Sequence, residues 1–108
     1  MNIVVLTGVV TRAATSRLLA GRPVVELDVA AAPASGERTA VNVVWPDGEA
    51  AAAPEPGAEV VIAGYVRRRF FRAGGSTVSR TEVVATGLVP AADRRRARRL
   101  VDRALSAP

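Results

Sequence analysis

The chain has 108 residues, enough for one domain with a modest core, and its 49% apolar content is too high for a disordered segment. It contains no Cys, His or Lys, so thiol chemistry, imidazole acid–base catalysis, Schiff-base formation and the usual zinc or copper ligands are excluded. The net charge of +5 comes entirely from Arg on the basic side, which fits an anionic partner or a solubilising surface. No Ser or Thr has a plausible base partner, so the expectation is a binding protein that needs no cofactor or metal and is not an enzyme.

In chain order, residues 2–11 are dense in Val, Ile and Leu and predict a strand, with Gly8 marking a bend or bulge. Residues 24–30 alternate, with Val25, Leu27 and Val29 on one face and Glu26 and Asp28 on the other. Residues 39–45 form a third strand closed by Pro46-Asp47-Gly48. Pro54 and Pro56 limit the Ala-rich stretch after Glu49 to one or two helical turns. Residues 59–72 and 77–89 then make a long hairpin around Ala73-Gly74-Gly75-Ser76. The pattern is all-β, and five strands with a short helical segment between the third and fourth suit a Greek-key barrel of the OB type. Pro90 separates this barrel, residues 1–90, from a basic amphipathic helix in residues 91–108. That helix has Asp93 as N-cap and a stripe of Ala97, Leu100, Val101, Ala104 and Leu105. The stripe could pack on its own barrel, on a second copy or on another protein.

The basic charge lies in two places. Six Arg against two Asp fall between Asp93 and Arg103, and five Arg with no acid fall between Arg67 and Arg80. On the fourth strand Tyr65, Arg67, Arg69 and Phe71 share one face, while Val66, Arg68, Phe70 and Arg72 share the other. Alternating rings and guanidinium groups are what a single-stranded nucleic acid needs, namely stacking platforms beside a cationic track. The plainer reading is a solvated arginine hairpin.

Several segments together resemble the bacterial single-stranded-DNA-binding protein (SSB) family. They are the opening Asn2-Ile3-Val4-Val5-Leu6-Thr7-Gly8-Val9-Val10-Thr11-Arg12, Val43-Val44-Trp45, Gly64-Tyr65-Val66-Arg67-Arg68-Arg69-Phe70-Phe71, and Thr81-Glu82-Val83-Val84-Ala85 after the glycine turn. The resemblance spans residues 2–90. It implies an OB-fold that binds single-stranded DNA without sequence preference, in replication, repair or recombination. It also implies a homo-oligomer, with a tetramer favoured over a dimer. By the same resemblance Trp45 and Phe71 become stacking platforms, and Arg67 and Arg69 become phosphate contacts, with Arg12 and Arg17 as secondary ones. The rings and charge of the hairpin itself add Phe70, Arg72 and Arg80 as nucleic-acid-binding candidates. The family's acidic tail is replaced here by a basic helix, so its tail-dependent replication partners are not expected. No run is long and apolar enough for a membrane span, so a cytoplasmic, nucleoid-associated protein is expected. An adaptor of the primosomal replication protein N type and an RNA-binding OB-fold are the alternatives.

Overall fold

Alternation along the strands decides which residues become the core. In the computed structural model, which describes residues 1–106, Val25, Leu27 and Val29 point inward and meet Val10, Val43, Val60, Ile62, Val83, Ala85 and Leu88. The strands are β1 (Val4–Val10), β2 (Thr15–Leu19), β3 (Arg22–Ala31), β4 (Thr39–Trp45), β5 (Glu59–Ala73) and β6 (Ser76–Pro90). A single 3-10 turn, Ala50–Ala52, precedes β5, and helix α1 (Arg94–Ser106) follows β6. The sheet runs β1-β5-β6-β4-β3-β2, and an added β1–β3 pairing closes it into a barrel. The β4–β6 pair is parallel while every other pair is antiparallel. This is the five-stranded OB barrel with a C-terminal helix.

The sixth strand is the first one, interrupted. Both β1 and β2 pair antiparallel with β3, from Gly8↔Ala31 to Val10↔Val29 and then from Thr15↔Glu26 to Leu19↔Arg22. Residues 11–14 therefore bulge out opposite Leu27 and Asp28, held by Thr11, whose N–H and hydroxyl both donate to the Asp28 carbonyl. Sequence periodicity misses β2 because Thr15-Ser16-Arg17-Leu18-Leu19 does not alternate cleanly and leaves Leu18 exposed. Its turn to β3 is the two-residue Ala20-Gly21, both at positive φ, as a tight hairpin requires. Gly8 has a packing role. A Cβ there would collide with Val29 and with the Ala30 carbonyl, so only glycine lets β1 cross β3 where the barrel closes.

The β5–β6 hairpin has two halves. From Glu59 to Ala63 it is part of the barrel wall; beyond Gly64 it leaves the core, and residues 66–80 are mostly exposed. The change coincides with a bulge on β6, where Ala63 faces Gly87 but Gly64 faces Ala85, leaving Thr86 unpaired in the ladder. The Thr86 hydroxyl donates to the Ala63 carbonyl and fixes the bend. Asn2 braces the base of the projecting part with two hydrogen bonds to the backbone of Val66, 2.7 and 2.9 Å.

Helix α1 packs on its own barrel. Asp93 caps it, its carboxylate accepting from the Arg96 N–H. Ala97, Leu100, Val101 and Ala104 are half-buried, whereas Leu105, counted in the stripe from sequence, lies off it and is exposed. Leu100 sits on Gly87, where any Cβ would collide with its side chain. Gly87→Val is therefore expected to cost about 1–3 kcal/mol by overpacking or to lift the helix away. Limited trypsin digestion, which cuts after Arg, should then release α1 faster than in the wild type; an unchanged rate would count against this docking. Residues 107–108 of the predicted basic segment lie outside the described residues.

Candidate nucleic-acid interface

The projecting hairpin places its candidates as strand parity demands. Tyr65, Arg67, Arg69 and Phe71 on β5 lie across from Val84, Glu82, Arg80 and Val78 on β6. The guanidinium carbon of Arg69 lies 5.1 Å from the centroid of the Phe71 ring, and that of Arg80 lies 5.9 Å from it, within cation–π range. Arg69 and Arg80 are a cross-strand pair one row nearer the barrel than Phe71. The next row toward the tip on that face is the small pair Ala73 and Ser76, so nothing bulky covers the ring from the tip side. Phe70 is 65% exposed on the opposite face, the one carrying Arg68 and Arg72. Arg72 folds back, donating to the Gly75 carbonyl at 3.3 Å.

Two arginines of the run, Arg67 and Arg69, are paired with one acid, Glu82. This residue is only 1% exposed. Arg69 Nε donates to its Oε1 at 2.8 Å, and Arg67 Nη2 stands 3.6 Å from its Oε2. A buried carboxylate is tolerated only when paired, and here two guanidinium groups share it. The signal was legible: a hairpin centred on Gly74-Gly75 pairs Arg67 with Glu82, two residues beyond the stretch that holds no acid. Arg12 and Arg17 are similarly occupied, Arg12 with Asp28 at 3.8 Å and Arg17 with Glu26 at 3.3 Å. Arg12 and Arg80 border one open groove with Asp28, Glu26 and Asn42; of the two arginines beside Phe71, Arg80 has no ion pair with an acid among the described residues.

Trp45 stands apart from the hairpin ring. It has the inward parity of Val41 and Val43, but it ends β4, so its indole leaves the barrel mouth and packs partly on the core. Gly48, which closes the turn by donating to the Trp45 carbonyl, lies against the indole; a Cβ at Gly48 would collide with the ring. The exposed part of the indole opens into a groove of about 450 Å³ shared with Gly87, Leu88 and Leu100 and walled by Arg96, Arg99 and Arg103 of α1. The structure thus joins Phe71, Arg69, Arg80, Arg67 and Glu82 in one cluster and puts Trp45 with the helix arginines in another. Among the described residues no group of His, Cys, Asp or Glu could hold a metal ion, and no helix is long and apolar enough to cross a membrane.

No protein-family profile matches the chain, and no curated protein is similar to it in sequence. Solved structures do resemble it. One is a Plasmodium falciparum SSB in complex with ssDNA, with a TM-score of 0.68 at 16% identity, covering 83% of this chain and 94% of that one. At that identity the likeness is one of fold.

Proposed function

We propose that this protein binds single-stranded DNA without sequence preference and catalyses no reaction. The observation that carries the reading is the Phe71 ring flanked by the guanidinium groups of Arg69 and Arg80 on a hairpin that projects from an OB barrel. A ring offers any base a stacking surface, and neighbouring cations attract the phosphates on either side. Trp45 supplies a second ring. The Plasmodium protein of similar fold, solved with ssDNA, supports the same reading. A site of two rings per chain is weak alone, so the protein acts as a homo-oligomer, where linked sites raise the effective concentration. The first half of β1 pairs only with β5, leaving an open edge beside the exposed Ile3 and Val5, which suits contact with a second copy.

The test is a titration of the lone tryptophan with oligo-dT at two salt concentrations. Saturable quenching that weakens steeply with salt is expected. Tighter binding of oligo-U would shift the reading to RNA. The pairing of Arg12, Arg17, Arg67 and Arg69 with acids favours a second reading, a protein-interaction adaptor. Absence of binding to either oligonucleotide would put it first.

A further inference from the structure

We propose that helix α1 completes a second nucleic-acid subsite, in which Trp45 offers a stacking edge and Arg96, Arg99 and Arg103 hold the phosphates of the same strand. The inference rests on the single-strand reading above and extends it to a surface outside the barrel. Three observations support it. First, the groove beside Trp45 joins an apolar floor, made by Gly87, Leu88 and Leu100, to a wall of three guanidinium groups. Stacking surface next to cations is the chemistry of an unpaired strand, whereas a purely apolar groove would suit a hydrophobic segment.

Second, the arginines are sorted around the helix. At about 100° per residue, Arg96, Arg99 and Arg103 fall within an arc of roughly 60° beside Leu100. Docking of Leu100 on Gly87 therefore turns that arc toward Trp45. The acids near it are Asp47, which also lines the groove, Glu59, which shares the neighbouring concavity with Trp45 and Arg96, and Asp93, whose carboxylate lies 3.8 Å from Arg96 and is engaged in capping. The far side of the helix is different: there Asp102 sits among Arg94, Arg95 and Arg98, with Arg99 on the border between the two sides. Third, the length fits. Seven residues of helix between Arg96 and Arg103 span about 10.5 Å, about three steps of a stacked strand that rises roughly 3.4 Å per nucleotide.

Two triple variants of the full chain, equal in charge, test this. One changes Arg96, Arg99 and Arg103 to Ala; the other changes Arg94, Arg95 and Arg98 to Ala. All six side chains lie off the packed stripe, and Ala preserves the helix. With oligo-dT, the first variant should lower the slope of log affinity against log salt by about 2, at about 0.7 per lost phosphate contact. A fourfold rise in salt would then cost the wild type roughly twenty-fold more affinity than the variant. The second variant should keep nearly the wild-type slope. Equal changes in both variants, or none in the first, would overturn the proposal while leaving the single-strand reading intact, and would free the flank for an acidic protein segment. A wild type that does not bind at all would remove both.

Discussion

Glu82→Ala is expected to lower unfolding stability by about 3 kcal/mol. The carboxylate is fully buried and faces Arg69 and Arg67, whose side chains are 17% and 34% exposed. Removing one member of a buried ion cluster leaves uncompensated charge, at a cost of roughly 3–5 kcal/mol. The lower end applies because Arg67 can turn toward water. Glu82→Gln separates charge from shape. The amide oxygen can still accept from Arg69, so the stability loss should be smaller. At the same time the cluster gains one net positive charge, so oligo-dT affinity should rise, with a salt slope steeper by about 0.7. Denaturant unfolding followed by Trp45 emission reads the first effect, and titration across salt reads the second. An unchanged unfolding midpoint in Glu82→Ala would show that the two arginines do not depend on this acid.

Phe71→Ala should weaken oligo-dT binding by about 1–3 kcal/mol, the worth of one stacked base, which is roughly 5–150-fold in affinity. The unfolding midpoint should barely move, because the ring stands on the projecting half of the hairpin and is absent from the core. Phe70→Ala is the internal control. Its ring is more exposed but has no arginine over it, so its removal should matter less. Equal losses at both positions would mean that the hairpin binds without a preferred face, and no loss at Phe71 would remove the stacking platform from the proposal. Trp45→Ala is a poorer probe than the sequence suggests. The indole packs on the core, so part of any effect would be lost stability.

Local periodicity made most of the barrel readable. Alternation in Val25-Glu26-Leu27-Asp28-Val29 set the inner face, Gly74-Gly75 set the hairpin centre, and Asp93 set the start of α1. The same period-two rule put Arg67, Arg69 and Phe71 on one face, as found. Less legible was what each arginine faces. The hairpin centre does give Arg67 its acid, Glu82, but Arg12 and Arg17 looked like free cations because Asp28 and Glu26 are 16 and 9 positions away along the chain and come close only through the folding of β2 and the preceding bulge onto β3. Pairing at that range is a property of the sheet, and charge counted over a linear window cannot see it.

The sequence by itself determined the elements other than β2, the inward face of the alternating strand that became β3 and the projecting hairpin, because these follow from repeats of two and 3.6 residues and from the backbone freedom of glycine. Only the tertiary structure decided where Trp45 points and what α1 touches. Trp45 ends its strand at the barrel mouth, so its surroundings come from Gly48, Leu88 and the helix rather than from its strand neighbours. The helix takes its place from one long-range fit, Leu100 on Gly87. A contact of that kind depends on shape complementarity between residues distant in the chain, which no local pattern encodes.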